Sequence, residues 1–134
     1  MDTVYYNAEK CIAGRLASAA AKELLKGRKV TIVNAEKAVI SGDQAATIAH
    51  FREKTSRGDP YHGPFYPRMP DRMLRRMVRG MVPRGKPSGQ AAFRRLQVYL
   101  AVPQEFEGKP FKSTKQIQEQ AKAISLELLC RRLK

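Results

Sequence analysis

Four arginines, Arg72, Arg75, Arg76 and Arg79, recur at the spacing of a helix rather than a strand. At about 100° per residue they project within an arc of about 100°, and Met73, Leu74, Met77 and Val78 project from the opposite side. A guanidinium is a planar fork of N–H donors with a permanent charge, so a row of four suits oxyanions, phosphate above all. A solvated helix face ordinarily mixes signs at i,i+4. Here Asp71 is the one acid in the segment, and the four like charges repel unless an anion neutralises them. The pattern points to recognition of a polyanion.

The surroundings strengthen it. Residues 52–95 hold 12 basic and 3 acidic side chains, a net of +9 out of the chain's +14. Beside the helical row, the candidate contacts are Lys54, Arg57, His62, Arg68, Arg84, Lys86, Arg94 and Arg95, with Gly63, Pro64, Gly80 and Pro83 shaping the backbone between them. Thr55–Pro67 is broken by Gly58, Pro60, Gly63 and Pro64 and reads as an extended loop. Its Phe65 and Tyr66 can stack on unpaired bases or dock the loop onto the domain. Pro70 suits the first helical position and Asp71 the positive end of the dipole. Gly80 is expected to end that helix and Pro83 to prevent its return. After a basic turn through Arg84 and Lys86, Ser88 is expected to cap a short helix through Arg95. Ala92, Phe93 and Leu96 then face inward, and Arg94 and Arg95 extend the charged surface.

The flanks must position this segment. Thr3–Tyr6 is β-branched and aromatic, a first strand. Gly14–Lys26 repeats Leu16, Ala20 and Leu24 on one helical face and stops at Gly27. Lys29–Val33 is apolar on both faces, as a central parallel strand is. Together these make a βαβ unit. Ala38–Ile40 is a short strand-like piece, and Ser41 with Gln44 matches a capping box. That box opens a helix to about Lys54 with Ala45, Ile48, Ala49 and Phe51 inward. Leu96–Val102 alternates as a strand, Gln104–Lys112 is a loop, Ser113 with Gln116 starts a short helix, and Ser125 caps a terminal one. The sum is one α/β domain over residues 1–134, a three-layer α/β/α fold on a small, mainly parallel sheet. The basic loop and helix of residues 55–95 are inserted within it.

Other classes fit poorly. There is no apolar run of membrane-spanning length, and MDTVYYNAEK lacks the basic and apolar parts of a signal peptide. Cys11 and Cys130, far apart, read as free thiols of a reducing cytosol, and with two histidines they make no zinc site. Glu36 after the βαβ start suggests a dinucleotide enzyme, but Gly14 stands where three glycines are required. An RNA-processing enzyme using His50 or His62 as base lacks a partner carboxylate or nucleophile nearby in sequence. A free regulatory RNA-binding module is a further alternative.

HGPFYP (His62–Pro67), RGMVP (Arg79–Pro83) and FRRLQVYLAVPQEFEGK (Phe93–Lys109), after AGRLAS (Ala13–Ser18) and VTIVNAEKAVISG (Val30–Gly42), resemble the large-subunit ribosomal protein L-thirteen family in its archaeal and eukaryotic form. The likeness spans residues 3–112 and is loose after them. It implies a three-layer α/β/α fold and a structural, non-catalytic role without cofactor, metal or small-molecule substrate. The implied partners are large-subunit rRNA and neighbouring ribosomal proteins in the cytoplasm, with importance early in assembly. Arg79, Gly80 and Pro83 fall on the family motif, and the basic residues of loop, helix and turn become the rRNA-facing candidates.

Overall fold

The computed structural model describes residues 2–114, 116–118 and 121–133. Strand β1 (Thr3–Asn7), helix α1 (Ala13–Leu25) and strand β2 (Lys29–Val33) form the expected βαβ unit. β1 and β2 run parallel, with Val4 beside Val30 and Tyr6 beside Ile32. The inner face of α1 is mostly alanine between Leu16 and Leu24, so the helix lies close to the sheet, and both leucines are fully buried. Each such leucine contributes about 1.5–3 kcal/mol.

The helices that follow are α2 (Gln44–Ser56), α3 (Pro70–Arg79) and α4 (Pro87–Arg94), and strand β4 (Leu96–Val98) then joins the other side of β2. A fourth parallel strand, β5 (Phe111–Lys112), pairs with β1, giving the order β4-β2-β1-β5. Val4, Val30 and Leu96 share one row and join the core with α1. α3 and α4 pack against α1 on this side. The neighbouring row, which alternation turns to the opposite face, holds Tyr5, Thr31 and Gln97. Phe106, on a 3-10 turn (Gln104–Phe106), covers it with ring centroids 5.8 Å from Tyr5 and 5.3 Å from Tyr99. The result is a three-layer α/β arrangement. A separate two-stranded antiparallel sheet pairs β3 (Val39–Ser41) with β6 (Ala123–Ser125), and β6 leads into α5 (Leu126–Leu133).

Several local expectations are corrected. Ser41 does not open α2, because it is paired to Ala123 in the small sheet. Asp43 caps instead, its carboxylate accepting from Ala46 N at 3.1 Å, where an anion also meets the positive helix end. Ala45 and Ala49 are exposed rather than inward, and α2 buries Phe51. α4 begins at Pro87, whose fixed φ suits the first helical turn, so Ser88 lies inside it rather than at its cap. β4 ends at Val98, short of Val102. Ala101 turns to φ 54°, accepts from Asn34 N at 3.0 Å and donates to the Glu36 carboxylate at 3.0 Å, which bends the chain around the end of β2. The expected loop at Gln104–Lys112 contains the 3-10 turn and β5.

The helix expected from Ser113 is absent among the described residues. Gln116 instead forms a bridge with Cys11, and Ile117 N donates to Lys10 O at 3.0 Å. Residues 115, 119 and 120 of that segment lie outside the described residues. Ser125 behaves as expected, its hydroxyl accepting from Leu128 N at 3.3 Å at the start of α5.

Candidate nucleic-acid interface

α3 carries the two faces its sequence implies. Met73, Leu74 and Val78 are buried, whereas Arg72 is exposed and Arg75, Arg76 and Arg79 are half-buried. Arg75 lies 4.7 Å above the Phe93 ring, and its Nη1 donates to Leu96 O at 3.4 Å. Arg76 lies 5.6 Å from the Tyr66 ring, which packs against Phe51 with centroids 6.0 Å apart. Lys54 Nζ completes this second cluster, 5.0 Å from Phe51 and 5.5 Å from Tyr66. Burial pushes the Tyr66 hydroxyl pKa up, and the nearby Arg76 charge opposes that shift. Each cation–ring contact contributes about 0.5–1 kcal/mol at such partly open sites. More usefully, the rings hold two of the guanidiniums in place without neutralising them.

Between α3, the turn after it and α4 lies an open groove of about 500 Å³. Its charged lining is Arg72, Arg75, Arg76, Arg79 and Arg84 against Asp71, over apolar ground supplied by Phe93 and Val98. Arg84 reaches it because the RGMVP turn folds back on α4. Lys86 N donates to Pro83 O at 3.0 Å, and a Cβ on Gly89 would overlap that same Pro83 carbonyl, so only glycine lets the two segments meet. Gly80 is different. Its φ is −73°, open to any residue, and the helix stop comes from Met81 N turning to Val78 O and from Pro83 beyond it.

The other candidates are dispersed. Arg57 pairs with Glu53 at 2.7 Å and holds its carboxyl below the usual range. His62 Nδ1 lies 3.4 Å from Asp59, and Gly63 and Pro64 shape the exposed loop that carries it. Lys86 and Arg94, at opposite ends of α4, are exposed and outside the groove's lining. Arg68 is exposed but lies outside the groove, lining a smaller cleft with Met69, Leu100 and Cys130. Arg95 is turned inward, donating to Leu24 O at 2.7 Å, where its charge meets the negative end of α1. Sequence reasoning missed Phe93 and Tyr66 as supports for Arg75 and Arg76. Each pair joins α3 to a neighbouring segment, α4 or the loop before α3, so no period within one element announces it.

The fold and groove define a class: a small basic α/β protein whose charge gathers on one helix face suited to an extended polyanion. The family model Ribosomal protein L13 matches residues 1–105. The chain is 44% identical over 110 residues to large ribosomal subunit protein uL13 of Archaeoglobus fulgidus, covering 82% of this chain and 70% of that protein. It is 49% identical over 100 residues to uL13 of Methanosarcina barkeri, covering 74% and 71%. With uL13 of Methanosphaera stadtmanae it shares 40% identity over 124 residues, 90% of this chain and 87% of the relative. The chain belongs to the ribosomal protein L13 family. That family consists of structural ribosomal constituents, so neither the dinucleotide-enzyme nor the RNA-processing reading stands.

Proposed function

We propose that this protein is a structural constituent of the large ribosomal subunit that binds large-subunit rRNA and stabilises it during early assembly. It works in the cytoplasm, in contact with neighbouring ribosomal proteins and without a cofactor. The observation that carries the RNA reading is the groove in which Arg72, Arg75, Arg76, Arg79 and Arg84 face a single carboxylate, Asp71. Phosphates of a folded strand neutralise that repulsion, and the contacts read backbone shape rather than base sequence. In this reading residues 1–134 act as one domain, with residues 55–95 as its RNA-binding extension. Lys54, Arg57, His62, Arg68, Lys86 and Arg94 add outlying contacts, and Arg95 supports them from behind.

The test is rRNA binding as a function of salt. Changing Arg72, Arg75, Arg76 and Arg79 together to Gln should weaken binding and lower the slope of log K against log salt by about three units, since each phosphate contact contributes about 0.7–0.9. A slope equal to the wild-type value would remove α3 from the interface.

A further inference from the structure

The two adjacent aromatics of the 57–69 loop have opposite fates. Tyr66 is half-buried on Phe51 between Lys54 and Arg76, whereas Phe65 is 69% exposed. Exposing a large apolar ring has a cost, and a floppy loop would relieve it by collapse. This loop is held open. Asp59 and Gly63 exchange backbone hydrogen bonds at 3.0 and 2.9 Å, and the Asp59 carboxylate accepts from Tyr61 N at 2.8 Å. Gly58, at φ +96°, lies so close to the Gly63 carbonyl that any side chain there would overlap it. Phe65 forms part of the wall of a cleft of about 350 Å³ between this loop and the end of α2, with Arg57 and Arg68 in the same lining beside one carboxylate, Asp59.

A flat exposed ring bordered by guanidiniums has the chemistry of a nucleotide site: the ring stacks on a base and the cations take its phosphates. A protein partner fits less well on charge, because the chain carries +14, +9 of it within residues 52–95, and the cleft sets two guanidiniums against one carboxylate. We propose that Phe65 is a stacking platform for an unpaired base of the bound rRNA, with Arg57 and Arg68 on the phosphates either side. This rests on the rRNA-binding reading above and adds a base contact to its backbone contacts.

The experiment uses the full chain and deproteinised large-subunit rRNA, with Phe65→Leu, Phe65→Trp and the α3 quadruple Gln variant compared across a salt series. Since Phe65 is exposed, the Leu variant should fold, and circular dichroism checks that it does. Loss of one stacked base should weaken binding about five- to a hundred-fold. The salt slope should stay unchanged, because stacking releases no counterions, and Phe65→Trp should restore affinity. Wild-type affinity for Phe65→Leu, alongside a weakened quadruple variant, would overturn the base site and leave the backbone reading intact. Wild-type binding of Phe65→Leu to naked rRNA with loss only from reconstituted subunits would overturn it too, by assigning the ring to a protein neighbour. Failure of the wild-type chain to bind rRNA would bring down the underlying reading and the base site with it.

Discussion

α2 and α3 follow one another in the chain, are joined by the 57–69 loop, and are built on opposite plans. α3 buries Pro70, Met73, Leu74 and Val78 in the core beneath α1, whereas α2 buries Phe51 and leaves Ala45 and Ala49 in solvent. Two of its four inward candidates are alanines, which bring little apolar area to any contact. α2 therefore leans on local devices: the Asp43 cap, a Thr47 hydroxyl donating to Asp43 O at 2.9 Å, and the Glu53–Arg57 pair at its end. α3 has no side-chain cap at Met69 and carries four arginines with one acid. The contrast teaches where like charge can be kept. Repulsion on the outer face of α3 is offset by burial of its inner face, so the charge can face outward and stay uncompensated until an anion arrives. On α2 that reserve is smaller, and its charges are held individually: Glu53 pairs with Arg57, Lys54 lies over the Phe51 and Tyr66 rings, and Arg52 Nη2 donates to Arg132 O on α5 at 3.2 Å.

The largest effect that separates the two plans is on stability. Leu74→Ala should cost about 2–5 kcal/mol, since the side chain is fully buried and its loss leaves a cavity. Ile48→Ala on α2, where the side chain is only half-buried, should cost about 1 kcal/mol. Denaturant unfolding of both variants tests this. Equal losses would mean that α2 is held by the core as firmly as α3 and would end the contrast.

A smaller effect concerns capping. Asp43→Ala removes an observed cap hydrogen bond and should cost about 1 kcal/mol, with amide exchange quickening first in the opening turn of α2. Asp43→Asn, which keeps the acceptor, should recover most of the loss. Exchange that quickened equally in α3 would show that the two helices open together rather than separately.

The same contrast explains how much could be read in advance. The βαβ unit and both faces of α3 were legible because each is a local period of side chains repeated long enough to stand out. The arginine row itself was legible for that reason. What was not legible depended on partners from elsewhere in the chain. Ser41 and Gln44 satisfied the capping pattern, yet pairing with Ala123 claimed Ser41 for a strand. LQVYLAV alternated correctly, yet Asn34 and Glu36 turned it at Ala101. β5 is two residues long and has no period at all. Among the site residues, Arg95 looks in sequence like any other basic candidate, and only the fold brings it to the carbonyl of Leu24.

The smallest expected effect tests whether a cation paired at the end of α2 is less available to rRNA than Arg72 on α3, which has no ion pair among the described residues. The Arg57 hydrogen bond, and then its charge, keep the Glu53 carboxyl below the ordinary glutamate range. A carboxyl lowered by folding contributes stability above its unfolded pKa and loses it as pH falls through the folded one. Both groups are exposed, so the energetic effect is small. The titration is nonetheless readable by NMR, and Arg57→Gln should move Glu53 back up toward its ordinary value. In rRNA binding, Arg57→Gln should lower the salt slope by less than Arg72→Gln does, because Glu53 already neutralises part of that charge. Glu53→Gln should do the reverse, freeing Arg57 and raising the slope slightly. If Arg57→Gln and Arg72→Gln proved equivalent, pairing within α2 would not matter to the interface, and the two helices would differ in stability alone.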